Sequence, residues 1–180
     1  ANSIWLNPYT RIFKRLLDLR LVILALAIAV PIVAAASLAI FWQMGWPVFF
    51  IQNRIGMGGR QTRNYKLRTM RPSSTSTSAT SKVDNRITPL GQFLRRYRID
   101  ELPQLLNIIK GDMSLVGPRP EQPSLTRRYL ETVPMFRYRN MLPPGITGWA
   151  QINAGYAADE VESQEKLLYD LYYIKHASLL

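Results

Sequence analysis

The sequence predicts a mainly helical α+β fold, built from a re-entrant membrane helix-break-helix, amphipathic interfacial helices and a small β-hairpin. Three observations predict it. The stretch 21–42 carries no charge, two short strand-like runs flank the cluster Gly56-Met57-Gly58-Gly59, and from Pro89 onward apolar residues recur at helical spacing. At 180 residues the chain is long enough for one domain with a real core and too short for two comfortable ones.

The uncharged run exceeds the apolar core of a signal peptide and is long enough to cross a bilayer. Two features argue against one crossing. Arg11, Lys14, Arg15 and Arg20 precede the run and Arg54, Arg60 and Arg63 follow it, so the preference of basic flanks for the cytoplasmic side applies to both ends. Pro31 stands near the middle, where it removes a helical hydrogen bond and clashes with the preceding turn. Residues 21–30 make about 15 Å of helix, half of the roughly 30 Å hydrocarbon core. The expectation is a helix that enters one leaflet, breaks at Pro31 and returns, with Trp42 and Trp46 at headgroup level. A single span is the alternative.

Residues 48–54 and 60–67 read as the two strands of the hairpin, with the glycines supplying the positive φ that its turn needs. Residues 72–82 hold nothing apolar larger than alanine and are expected to form a mobile loop. Phe93, Leu94 and Tyr97 mark one helical segment. Leu102, Leu105, Leu106 and Ile109 mark a second, with Pro103 in its first turn and Gly111 as its stop. A loop stiffened by Gly117, Pro118, Pro120 and Pro123 follows, then a helix through Leu125, Tyr129 and Leu130. A fixed turn at 143–148 and a final amphipathic helix at 159–175 complete the pattern.

The net charge of +11 is unevenly spread: eleven basic residues precede Asp84, against the single acid Asp18. Such asymmetry calls for an anionic partner, and beside a membrane segment lipid headgroups lead over nucleotide phosphates and nucleic acid. The chain has no cysteine, which excludes disulfides and thiolate chemistry. Its one histidine, His176, excludes a histidine-rich metal site.

Asp100 and Glu101 are adjacent acids at the start of a helical segment, preceded by Arg95, Arg96 and Arg98. The plain reading is an aspartate N-cap with solvated arginines. The same pattern also suits phosphoryl transfer, since it sets a carboxylate beside phosphate-binding donors and neutralising guanidinium groups. Arg119, between Pro118 and Pro120, presents a preorganised fork to a phosphate. A hard cation such as Mg²⁺, held by carboxylate and phosphate oxygens, is compatible with either acid. On the residues alone both readings stay open.

The run RIDELPQLLN at 98–107, followed by KGDMSLVGPRP at 110–120, resembles the monotopic phosphoglycosyl transferases, also called the bacterial sugar transferase family. Shorter pieces are similar to the same family: KRLLD at 14–18, QNRIG at 52–56, YKLRTM at 65–70, PGITGWAQ at 144–151 and YDLYY at 169–173. The resemblance implies that Asp100 attacks the sugar-linked phosphorus of a UDP-sugar, giving a covalent aspartyl phospho-sugar and UMP, and that polyprenol (undecaprenyl) phosphate then takes the phospho-sugar. Glu101 would be the companion acid and Arg119 would bind the diphosphate. Lys66, Arg68, Arg98, Pro120 and Asp170, all within or beside the shared motifs, would contact substrate, and Mg²⁺ would bridge Asp100 and phosphate oxygens.

The same resemblance implies a membrane arm over 1–47, a catalytic region over 48–180, and a place on the cytoplasmic face of the bacterial inner membrane among anionic lipids. No nucleic-acid partner is expected. The expected sugar is a hexose, glucose or galactose, and the expected parent is a longer protein. Many members carry Ser-Pro at the helix break where this chain has Val30-Pro31. Two other classes compete: a membrane-surface scaffold whose acids only cap helices, and a Mg²⁺-dependent phosphohydrolase with water as acceptor.

Overall fold

The computed structural model describes residues 8–71, 84–154 and 160–177. Helix α1 runs from Pro8 to Met44 as one 37-residue element with Pro31 inside it. The break expected at Pro31 therefore does not interrupt the helix. Proline removes its own donor, but the alanines at 27, 29, 34 and 35 have strong helix propensity and help carry the helix past it.

The burial along α1 is inverted. Lys14, Asp18, Val22, Ala29, Ala36 and Ile40 are buried, at spacings that align them on one face. Ile23, Leu24, Ile28, Leu38, Phe41 and Trp42 are exposed on the others. A continuous apolar surface of this kind marks a contact face with lipid or protein.

Both ends of α1 are tied to the rest of the chain. Near the start, Lys14 Nζ donates to Asp18 and to Ser114 Oγ (2.9 Å), Ser114 Oγ donates to Asp18 Oδ2 (2.6 Å), and Arg15 donates to the Ile109 carbonyl (3.0 Å). At the far end, Arg68 donates to the carbonyls of Met44 (2.7 Å) and Pro47 (2.9 Å). Between them lie two cores. Val22 and Ala29 pack with Leu105, Ile108 and Met113, while Ala36 and Ile40 pack with Val48, Leu67 and Leu94.

Strands β1 (Phe49–Ile55) and β2 (Gln61–Leu67) form the expected antiparallel hairpin, in register from Phe49↔Leu67 to Ile55↔Gln61. Their turn, the 3₁₀ helix Met57–Gly59, uses positive φ at Gly58 (67°) and Gly59 (77°), which an L side chain disfavours. The loop expected at 72–82 lies outside the described residues.

Helix α2 (Pro89–Arg96) starts under a Thr88 cap, whose side chain accepts from the Gly91 amide. A 3₁₀ helix, Ile99–Gln104, leads into α3 (Leu105–Lys110), which stops at Gly111 with φ 91°. Buried Asn107 fastens α3 to β2 like a short extra strand: its amide donates to the Arg63 carbonyl (2.6 Å) and accepts from the Tyr65 N–H (3.3 Å).

Strand β3 (Ser114–Val116), helix α4 (Pro123–Thr132), a 3₁₀ helix Phe136–Met141, strand β4 (Gly145–Thr147), helix α5 (Trp149–Asn153) and helix α6 (Glu160–His176) complete the order. The fixed turn expected at 143–148 contains β4, which pairs in parallel with β3 through Ser114↔Gly145 and Val116↔Thr147. Three-residue strands are too short to show a period of two, and their pairing spans a long sequence separation. Glycines make it possible. A Cβ on Gly117 would come 2.4 Å from the Pro143 carbonyl, one on Gly145 2.1 Å from the Gly117 nitrogen, and one on Gly148 2.2 Å from the Gly117 carbonyl. Backbone meets backbone there, and the strand leads directly to Arg119.

Candidate active site

The two acids lie inside the 3₁₀ helix Ile99–Gln104, which follows Arg98 in the left-handed conformation (φ 54°, ψ 24°). Asp100 is consequently not the N-cap that the plain reading of the sequence expected. With three residues per turn, Glu101 and Gln104 share one side and Asp100 points a third of a turn away. Both acids are buried, Asp100 at 8% and Glu101 at 6% exposure.

Their surroundings differ sharply. Glu101 accepts from Lys66 (2.7 Å), Arg119 (2.9 Å) and Arg98 (3.3 Å). Burial alone would raise its pKa, but Arg119 and then Lys66 override it and hold the carboxyl at about 2. Asp100 makes no ion pair among the described residues. Burial pushes its carboxyl above the ordinary aspartate value, and the nearby Lys66 charge offsets this only in part. Lys66 itself is lowered by burial against the opposing pull of Glu101.

An open cleft lined by Arg54, Asn64, Lys66, Gln104, Arg119 and Pro120 lies beside Glu101, whose partners Lys66 and Arg119 are in its wall. Three of the six are cations, and Asn64 follows the period-two pattern of β2 that also turns Lys66 to this side. Such a lining favours an anion with several acceptor oxygens, of which a diphosphate is the common biological case. Arg119 reaches Gln151 (3.3 Å) as well as Glu101, so its fork is held from two directions.

The structure thus brings together Asp100, Glu101, Lys66, Arg98, Arg119 and Pro120. It places two other expected substrate contacts elsewhere. Arg68 follows β2 with its amide still donating to the Val48 carbonyl (2.8 Å), and its guanidinium is taken by the carbonyls of Met44 and Pro47. Asp170, at 2% exposure, faces Arg139 on the 3₁₀ helix 136–141, whose guanidinium donates twice to Asp170 Oδ2 (2.7 and 3.0 Å). Arg54, Asn64, Gln104 and Arg139 escaped the sequence reading. Arg54 sat within a quoted motif, and Gln104 follows Glu101 by one 3₁₀ turn, but Arg139 lies in a segment with no distinguishing pattern.

For a metal, the described residues contain no group of three or more His, Asp or Glu side chains. Asp100 can supply one carboxylate ligand, and the cations around it disfavour a bare divalent ion. That fits Mg²⁺ arriving with a phosphorylated substrate, because this ion keeps waters and takes one or two carboxylates plus phosphate oxygens.

Known proteins similar to this chain share one type of name. A protein of Aeromonas hydrophila named UDP-N-acetylgalactosamine-undecaprenyl-phosphate N-acetylgalactosaminephosphotransferase is 41% identical over 96% of this chain and 41% of its own length. A UDP-glucose:undecaprenyl-phosphate glucose-1-phosphate transferase of Xanthomonas campestris pv. campestris is 38% identical over 96% of this chain and 37% of its own length. A putative undecaprenyl-phosphate N-acetylgalactosaminyl 1-phosphate transferase of Bacillus subtilis is 43% identical over 70% of this chain and 72% of its length. The chain spans about two-fifths of the first two relatives. The sequence model described as "Bacterial sugar transferase" matches residues 9–180, nearly everything from the start of α1 onward, and on that match the chain belongs to the bacterial sugar transferase family.

Proposed function

We propose that this chain transfers a sugar 1-phosphate from a UDP-sugar to undecaprenyl phosphate through a covalent intermediate on Asp100. The carrying observation is the unequal dyad: Glu101 takes three cations, while its neighbour Asp100 is buried without an ion pair among the described residues. A carboxylate neutralised by arginine is a poor nucleophile. Asp100 keeps its lone pairs available near Lys66, a cation of the cleft that would receive the phosphates.

In the first half-reaction, an Asp100 oxygen attacks the sugar-linked phosphorus, forming a P–O bond as the phosphoanhydride bond breaks and UMP leaves. In the second, a phosphate oxygen of the lipid attacks the same phosphorus and expels the Asp100 carboxylate, leaving a sugar diphospholipid. Arg119 and Lys66 bear on the charge that develops on the transferred group and on the departing UMP. Bound with the substrate, Mg²⁺ would add Lewis-acid stabilisation of the phosphate oxygens beside Asp100.

The membrane arrangement follows the same reading. Helix α1 lays its exposed apolar face into one leaflet, and both its ends stay on the cytoplasmic face of the inner membrane. Support comes from its two anchor points, Lys14 and Arg15 at one end and Met44 at the other, which bind the same packed body. One body cannot lie on both sides of a bilayer. Trp42 and Trp46, 87% and 74% exposed, suit the headgroup layer.

Relatives of similar identity are named for glucose and for N-acetylgalactosamine, so a UDP-sugar panel containing both decides the donor. The experiment is UMP release from that panel with and without undecaprenyl phosphate, together with intact-protein mass spectrometry. A single turnover without lipid, with a sugar phosphate mass on Asp100, is the expected result. Sustained lipid-independent release would mark a phosphohydrolase, and no release from any donor would leave a scaffold. For topology, cysteines placed in each flank of α1 are expected to resist labelling from outside the membrane; labelling of only one flank would establish a span.

A further inference from the structure

Behind Arg119 lies a second, closed set of charges. Arg139, with 4% of its side chain exposed, donates to Asp170 on α6 (2.7 and 3.0 Å), pairs with Glu121 (3.4 Å) and stacks over the Phe136 ring (4.9 Å). Lys166, also on α6, completes the group by donating to Glu121 (3.0 Å). One further bond leaves this cluster: Arg139 Nη2 donates to the main-chain carbonyl of Arg119 (3.0 Å).

That bond is one of three in a row. The Arg119 carbonyl accepts from Arg139, the Pro120 carbonyl from Arg54 (3.2 Å), and the Glu121 carbonyl from the Ile55 amide (2.9 Å). The flanking prolines fix φ at 118 and 120 and restrict Arg119 to extended conformations. The remaining freedom is the tilt of the 119–120 peptide plane, and what its carbonyl accepts sets that tilt.

We infer that Arg139 is a positioning residue for the reaction: anchored by Asp170 and Glu121, it holds the Arg119 carbonyl and thereby aims the Arg119 guanidinium at Glu101 and at the phosphates in the cleft. It touches no substrate itself. The inference rests on the reading of Arg119 as a phosphate-binding group. A displacement near 1 Å at such a group costs about 100-fold in rate, so a carbonyl anchor is a sufficient lever.

A double-mutant cycle tests it on the full chain in detergent micelles or nanodiscs, read both as kcat/KM for UMP release and as calorimetric affinity for UDP. Arg139→Lys keeps the charge opposite Asp170 but loses the fork that spans Asp170 and the Arg119 carbonyl. Arg139→Met combined with Asp170→Leu removes both charges, so that no lone buried charge is left behind if the first variant unfolds. Each is expected to cost about 10- to 100-fold with Arg119 present and less than about 2-fold further in an Arg119→Ala background. Equal losses in both backgrounds would show that Arg139 only holds α6 in place and would overturn the inference. Wild-type protein that neither binds UDP nor releases UMP would overturn the underlying reading and the inference with it. A wild type that does both, with additive losses, sinks the inference alone.

Discussion

Two ionic clusters sit on opposite sides of Arg119, and their charges are counted differently. In the rear cluster Arg139 and Lys166 face Glu121 and Asp170, two cations against two acids, all with little side-chain exposure. In the front cluster Lys66, Arg98 and Arg119 all pair with Glu101, three cations on one acid, while Asp100 stands outside any ion pair among the described residues and a cleft opens alongside. A balanced buried cluster completes itself. An unbalanced one is complete only when an anion arrives, and the surplus charge matches that of a diphosphate. Buried ion pairs are weak evidence for stability in themselves, so what separates the two sets is this excess rather than their number.

The largest expected effect tests the front cluster directly. Asp100→Asn is expected to reduce UMP release by about 10⁴-fold or more while the unfolding midpoint holds or rises, because burial already disfavours the charged form. If Glu101→Gln is instead the more damaging change and Asp100→Asn is tolerated, the roles of the dyad are reversed. Next in size is the anion response. UDP at 100 times its Kd should stabilise the protein by about 2.7 kcal/mol in thermal unfolding, and Arg119→Ala with Lys66→Ala should abolish that gain. Lys166→Ala, in the balanced cluster, should lower the baseline midpoint and leave the gain intact.

Acid titration then separates stability from activity. Glu101 and Glu121 are both depressed from 4.5 to about 2, Glu101 chiefly by Arg119 over the opposing effect of burial and Glu121 by Arg139 likewise. Depressed carboxylates stabilise the fold above their unfolded value, and this contribution is lost as pH falls from about 4.5 toward 2. Urea unfolding across that window should lose roughly 3 kcal/mol for each, and either Glu→Gln change should flatten the slope. Asp100 is shifted the opposite way, and the proposed mechanism requires it ionised, so the acid limb of kcat/KM should lie above the ordinary aspartate value while the fold is still intact. Smallest of all is Arg98→Ala. Its side chain is 62% exposed and its bond to Glu101 is 3.3 Å, so a loss of only about 2- to 5-fold in kcat/KM is expected, with little change in unfolding midpoint.

Much of this was legible from the chain, for local reasons. The hairpin announced itself through glycines that must take positive φ, and the helices at 89–96 and 105–110 through apolar spacing ended by Gly111. Asp100, Glu101 and Arg119 could be nominated from charge beside proline and helix signals, and the structure brings all three within one neighbourhood. What stayed hidden depends on contacts between distant residues. The β3–β4 pair joins three-residue strands about thirty positions apart, and Arg139 acquires its partners only when α6 folds back across it. Arg68 belongs to the same shared motif as Lys66, yet its guanidinium is taken by the carbonyls of Met44 and Pro47, which only the folded chain brings to it. At Pro31, the flanking alanines, which lose no side-chain entropy in a helix, offset one missing hydrogen bond.

The touching main chains at Gly117, Gly145 and Gly148 have an evolutionary corollary. Because no side chain of any size fits there, the distance from this clasp to Arg119 is fixed by two peptide backbones and cannot drift gradually by substitution. Change in the cleft is thereby channelled into its other walls, with the position of Arg119 kept constant. A library that randomised those three glycines should return almost nothing but the parent residues, whatever donor the selection rewards.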